Sequence, residues 1–321
     1  MRQLYKTASF DIPHASESNK LQRVLSSTIQ NRSRDSAIAA ASLSRYPHSP
    51  LSLPHPTEES ACYWNAKHFN LQRAQLFQQA TPQEQNAILQ IASLSLLQEA
   101  YFIEKAGISY MAKMVALSES TDERMLYALF SADETYHLTQ LLRFLPLHQT
   151  TVTDDPFLRF LTDLIEHQDK TVLLFILQVV LKGWVLSHYR TLASDCQNPE
   201  LANILTGFLQ DESRHHTTGI TLFKQNPLTP ETRQVIVEAL VYFLRRVQTE
   251  PQSVVAAVNR VLGPLSRCQK IQLIEELQTE IHTGTRLNLL RSLIGKETAH
   301  TILNELEARQ AFEPLPAYLC A

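Results

Sequence analysis

The sequence predicts an all-α protein, and three observations carry that prediction. Glycine is scarce, 7 residues of 321. Each Gly inside a helix costs about 1 kcal/mol relative to Ala, so a Gly-poor chain suits long helices. Helix-start signals recur: Thr81-Pro82-Gln83-Glu84 and Ser120-Thr121-Asp122-Glu123 each set a hydroxyl N-cap three residues before a glutamate. No stretch shows the apolar–polar alternation of a half-buried strand.

The elements follow in order. Residues 1–60 are rich in Ser and Pro, closed by Pro47, Pro50, Pro54 and Pro56, and read as an arm with short helices at 18–30 and 35–45. Apolar density rises from Tyr63 and Trp64, and 65–79 reads as a short helix. The Thr81 cap starts a helix to about Leu117, interrupted only by Gly107, and the Ser120 cap starts one ending near Leu145-Pro146. Asp155-Pro156 opens a helix to about His167, and residues 169–193 form the most apolar helix. Asn198-Pro199 starts a helix to about Lys224, and Thr229-Pro230-Glu231 one to about Gln248. Gly263-Pro264, Gly284 and Gly295 divide the remainder into shorter helices. Phe312 to Ala321, with two prolines, reads as a tail. The expected organisation is an arm (1–60), a bundle (61–227) and a C-terminal helical extension (228–321) packed on the bundle across a short linker.

Composition narrows the function classes. A net charge of −3 argues against a nucleic-acid surface. Cys62, Cys196, Cys268 and Cys320 are scattered without a C-x-x-C pair, which predicts a reduced, cytoplasmic protein. The longest apolar run, Val172 to Leu186, contains Gln178 and Lys182 and falls short of the roughly 20 residues a bilayer requires, so no membrane is expected. No secretory signal is recognised. The Ser-rich, basic-leaning start has transit-peptide character, opposed by Asp11, Glu17 and Asp35.

The chemistry concentrates in a doubled motif: Asp133-Glu134-Thr135-Tyr136-His137 and Asp211-Glu212-Ser213-Arg214-His215. Residues three apart on a helix share a face, so each run sets a carboxylate beside an imidazole, a pair able to grip one metal ion. With 22 Glu and 12 His in the chain, chance alone gives roughly one Glu-x-x-His. There are three; Glu297-Thr298-Ala299-His300 lacks the preceding Asp and reads as a surface coincidence. Asp133 and Asp211, one position back, point toward a neighbouring helix, where each is placed to accept the free N–H of a ligand histidine and fix its tautomer. Their plain reading is helix-surface charge.

Ligands at equal depth on two antiparallel helices lie equally far from the turn. Measured from the turn near 119–120, Glu104 matches Glu134, whereas Glu99 sits about 7 Å further along, on a solvated face or in a core hydrogen bond. The same test from the turn near 195–198 places the partner of Glu212 at 178–183, where the chain reads Gln178-Val179-Val180-Leu181-Lys182-Gly183 and holds no carboxylate.

The order Glu104, Glu134-x-x-His137, a long apolar helix, then Glu212-x-x-His215 resembles the ferritin-like di-iron carboxylate proteins, over residues of about 81–225. That family includes ferritins, the ribonucleotide reductase radical subunit and bacterial N-oxygenases. The resemblance implies a ferritin-like four-helix bundle with added N- and C-terminal helices. It implies Glu104, Glu134, His137, Glu212 and His215 as ligands of iron or manganese, up to two ions per chain. The family's remaining glutamate falls on Lys182, or on Gln178 one turn earlier. Four functional readings of Lys182 stand: His188 supplies the missing ligand, the ammonium replaces a second metal, a neutral amine binds metal, or carbamylation restores a carboxylate. The plain reading is a lysine that snorkels to the surface. His216 is expected to face away from the metal. Tyr101, Tyr110, Tyr136 and Tyr189 lie near this layer; tyrosines in such sites relay electrons, and Tyr110 is the one assigned a catalytic part beside Lys182. The plain alternative for each is a core tyrosine with a bonded hydroxyl.

The function implied is a non-haem oxidase or oxygenase. It would activate O2 on a small organic substrate, with an external electron donor, as a monomer or homodimer. The alternative is a bundle with a degenerate or mononuclear site acting as an interaction module, its 230–321 helices the working surface. Iron storage is a third reading, ill suited to the long extra helices.

Overall fold

The structure, a computed structural model, describes residues 20–30, 62–146, 155–295 and 300–321. These residues form helices and no β-strand. The predicted helix at 35–45, and the Glu297–Ala299 part of the third motif, lie outside them.

After α1 (20–30), the region predicted as one helix at 65–79 is instead turns, a 3₁₀ turn Leu71–Arg73 and a short α2 (Gln75–Gln79). Asn70 takes a left-handed conformation that breaks the run. Then come α3 (Pro82–Leu117), α4 (Thr121–Leu141), α5 (Pro156–His167) and α6 (Lys170–Leu173). A π-helical segment, Leu174–Leu181, carries α6 without a break into α7 (Lys182–Asp195), and α8 (Pro199–Phe223) follows. The starts lie where the sequence signals stand. Thr81 and Glu84 form a capping box, and the side chains of Ser120, Asp155, Asp169 and Asn198 each accept a backbone N–H of the first turn. Beyond them lie α9 (Pro230–Gln248), α10 (Gln252–Leu262), α11 (Arg267–Glu276), α12 (Thr279–Gly295), α13 (His300–Ala308) and α14 (Ala317–Cys320). Gly284 does not divide a helix; it sits inside α12 with nothing crowding it. The expected tail also carries structure. It ends in α14, with Cys320 buried and its carbonyl accepting from Gln252.

Side-chain contacts give the direction of each bundle helix. Glu104 meets His137 while Gly107 abuts Glu134, so α3 and α4 are antiparallel. His137 meets Asp211 while Asp133 meets His215, so α4 and α8 are antiparallel. Glu104 meets Tyr189 while Tyr110 meets Gln178, so α3 and α7 are antiparallel too. Hence α3 and α8 run one way, α4 and α7 the other. After α5, the start of α6 lies beside the start of α4, with Lys170 against Glu123 (2.8 Å).

The apolar interior forms two clusters. One gathers Met111, Met114, Tyr127, Phe130 and the π segment with α9 and α12. The other gathers Trp64, Leu97, Phe102, Tyr189 and Phe208 with α10 and α11. The polar side chains of the motif lie between them. The combined helix Lys170–Asp195 spans 26 residues with a mean hydropathy of 1.6 in its most apolar window, and 72% of that window is buried. It is longer than the apolar run in the sequence, and length and composition alone would let it cross a membrane. Its contacts with α8, α9 and α12 account for the apolarity.

Candidate metal centre

Six ionisable side chains from four helices meet in the interior: Glu104 on α3, Glu134 and His137 on α4, Lys182 on α7, and Glu212 and His215 on α8. Five are fully buried, and Lys182 is 6% exposed. The helix period explains the meeting. Glu134 and His137, like Glu212 and His215, are one turn apart on a single face, and antiparallel packing brings the two faces together.

Glu104, Glu134, His137 and Glu212 offer one ligand atom each, all within 4.8 Å of one another. His137 Nδ1 lies 3.1 Å from Glu104 Oε2 and 3.6 Å from Glu212 Oε1. His215 Nδ1 lies 3.1 Å from Glu134 Oε1 and 3.7 Å from Glu212 Oε2. The outer nitrogens face the aspartates crosswise: His137 Nε2 is 3.0 Å from Asp211, and His215 Nε2 is 3.3 Å from Asp133. Asp211 is also held by Arg214.

Lys182 does not snorkel. Its Nζ donates to Glu134 Oε1 at 2.7 Å and to Glu212 Oε1 at 2.8 Å. Burial works against the charged amine, but Glu134, Glu212 and Glu104 overcome it and hold the ammonium well above the ordinary lysine range. Burial would raise Glu104 and Glu212; the same ammonium pulls both below the usual carboxylate range. Burial would also lower the two histidines. Hydrogen bonds donated to Asp211 and Glu104 instead push His137 up to about 10, and those to Asp133, Glu134 and Glu212 raise His215.

Two features fit this group to a cation beyond those it already holds. Glu134 Oε2 and Glu212 Oε2 are buried without a hydrogen-bond partner, a costly arrangement for ionised oxygens unless something positive faces them. The donor set, carboxylates with imidazole, suits a first-row divalent metal. Lys182 takes up one side of the group, its ammonium on two of the three glutamates.

The other expected residues divide. His188 is no ligand: its ring stacks on Trp184 (5.0 Å, 13°), and burial drops its pKa to about 3. Glu99 lies off the centre, half-buried; burial and the nearby Glu250 push it up to about 7. Tyr110 and Tyr127 both donate to Gln178 Oε1 (2.6 and 2.7 Å), and Gln178 Nε2 donates to the His215 carbonyl (2.7 Å). Tyr110 therefore stands one residue away from the ligands rather than on them. Tyr136 is exposed, and Tyr101 packs in the Trp64 cluster. His216 faces away, its Nδ1 3.2 Å from the Gln178 carbonyl. Tyr189, one name among four in the sequence, is the tyrosine that touches the centre, its hydroxyl donating to Glu104. Gly107 had no assigned part. A Cβ there would lie 2.4 Å from Glu134 Oε2, so its hydrogen leaves the carboxylate its room.

Beside the centre lies an apolar cavity of about 50 Å³ between α3, α5 and the π-segment–α7 helix, lined by Ile103, Gly107, Leu161, Leu181, Lys182 and Trp184 among others. Comparison with protein-family models, with curated proteins and with solved structures finds no match to this chain.

Proposed function

We propose that the buried cluster holds one iron or manganese ion through Glu104, Glu134, His137 and Glu212, with His215 alongside, and that the protein is a non-haem metal oxidase or oxygenase. The observation that carries the reading is the convergence of four ligand atoms within 4.8 Å in a buried layer. The helix directions add to it: two pairs of antiparallel helices joined by a single long crossover are the connectivity of ferritin-like bundles.

A reduced metal in an oxygen- and nitrogen-rich site with open positions supplies dioxygen activation. The chain's own residues do the rest. Asp211 and Asp133 accept from the outer histidine nitrogens and so direct the inner ones at the metal. Lys182 donates to Glu134 and Glu212 and supplies the positive charge of a second ion. Tyr189 fixes one oxygen of Glu104, and the other faces His137 Nδ1. The two apolar clusters exclude water, and the cavity offers a small organic substrate a place beside Glu134. Turnover draws electrons from an external donor.

A second reading is favoured by Lys182 itself. Its two short ion pairs already engage two of the three glutamates, as in a bundle that has given up redox chemistry and serves as an interaction module. Metal content per chain after anaerobic loading with ferrous iron separates the two. About one ion in the wild type, lost in Glu212→Ala, with dioxygen consumed when a chemical reductant is added, is the expected result. About two ions would show that Lys182 yields its place. None in either protein would leave the interaction module.

A further inference from the structure

We infer that the cavity between α3, α5 and α7 seats an unbranched hydrocarbon chain, entering end-on so that its terminal carbons rest against Glu134. This rests on the metal-oxidase reading for its purpose, but not for its test. The walls are Ile103, Leu161, Leu181 and Trp184, with Gly107 and Lys182 at the inner end. Tyr110 also lines the cavity, but its hydroxyl is taken by Gln178, and the Lys182 ammonium is taken by two glutamates. Apart from the Trp184 indole N–H and the third N–H of Lys182 the lining is apolar, so a polar occupant would lose most of its hydration without replacement. A volume of about 50 Å³ holds about four water-sized centres, hence a slim chain end of about three or four carbons rather than a branched or bulky group.

The inner end fixes what the occupant meets. Gly107 and Lys182 are the two cavity residues that also touch Glu134: the Cβ position of Gly107 lies 2.4 Å from Oε2, and Lys182 Nζ lies 2.7 Å from Oε1. The place a Cβ on Gly107 would take is filled by that carboxylate, whose Oε2 is unpartnered. A chain filling the cavity therefore presents its last carbons to the centre and leaves its functional group toward the mouth. The substrate class is a molecule ending in an unbranched alkyl chain.

The chain's two tryptophans make this directly readable. Trp184 lines the cavity, and Trp64 is fully buried in the other apolar cluster. The full chain labelled with 5-fluorotryptophan is titrated with 1-hexanol and with its isomer 3,3-dimethyl-1-butanol. The expected result is a saturable shift of the Trp184 fluorine resonance alone, with the branched isomer at least about tenfold weaker. Ala106→Leu and Ile165→Phe, which fill the cavity from opposite walls, should each abolish the shift. An unperturbed Trp64 resonance reports that the variant is folded, and either variant suffices. In protein loaded with Mn²⁺, the methyl end of 1-hexanol should broaden more than its CH2OH end. Equal affinity for the two isomers, binding undiminished by the filling substitutions, or no saturable shift would overturn the cavity assignment. Stronger broadening at the CH2OH end would overturn the end-on entry. Repeating the titration on chelator-treated protein keeps the two readings apart: the cavity binds in either state, whereas metal content speaks only for the centre.

Discussion

A carboxyl group taken out of water depends on the charges nearest to it, and Glu99 and Glu104, five residues apart on α3, show both outcomes. Glu104 faces Lys182 and His137 and is held below the ordinary range. Glu99 is pushed up to about 7, by burial first and by the charge of Glu250 next, against the pull of Arg286 and Arg246. The folded state therefore binds a proton at Glu99 that the unfolded chain has already released. The resulting penalty is absent below the unfolded pKa near 4.5, grows as pH rises, and is complete above about 7. Glu99→Gln should leave stability near pH 4.5 unchanged and raise it at pH 8 by about 1–2 kcal/mol, discounted for the solvent that screens this half-buried group. Urea unfolding at the two pH values checks this, and an equal effect at both would exclude it. At this scale much of the centre was legible. The equal-depth argument chose Glu104 over Glu99, and one step back along each helix pointed the aspartates at a facing histidine. Tyr189 was not singled out, because its contact with Glu104 depends on how α3 lies against α7, which no local pattern states.

Helix starts were legible for a physical reason: a capping side chain must stand at a fixed distance from the first unpaired backbone N–H groups, so the sequence carries the start itself. The π segment Leu174–Leu181 was not legible, since an all-apolar run has no phase to read. It shifts the register one turn before Lys182 and brings Gln178 against α8, where a Cβ on Gly219 would lie 2.5 Å from the Gln178 side chain. Gly107 plays the same part between α3 and α4. Gly107→Ala should destabilise by about 1–3 kcal/mol through overpacking and loosen metal binding by displacing Glu134. Gly207→Ala on α8, with nothing within 4 Å, should be neutral or stabilising by up to about 1 kcal/mol. Denaturant midpoints and metal content of the two variants make the comparison; similar behaviour would show that Gly107 does not control the spacing.

On the scale of the whole molecule, the bundle is braced from outside. α10 packs on α3, and α9 and α12 pack on the π segment. The last residues close this outer layer: Gln248 Nε2 donates to the carbonyls of Gln310, Ala311 and Glu313, and Leu315, Ala317 and Cys320 join the Trp64 cluster. Removing residues 312–321 should therefore cost about 2–4 kcal/mol of stability while leaving metal content intact. Unchanged unfolding would show that the segment is ornamental. The sequence reading missed this because two prolines and a chain end look alike whether docked or free. One consequence of the centre reaches every part of the fold. Without metal, His137 and His215, both raised, and the Lys182 ammonium stand against Glu104, Glu134 and Glu212, three positive groups for three glutamates. Were a dication held there as proposed, each histidine that became a ligand would give up its proton. On that proposal the centre exchanges protons for metal and takes it up more tightly as protons become scarce.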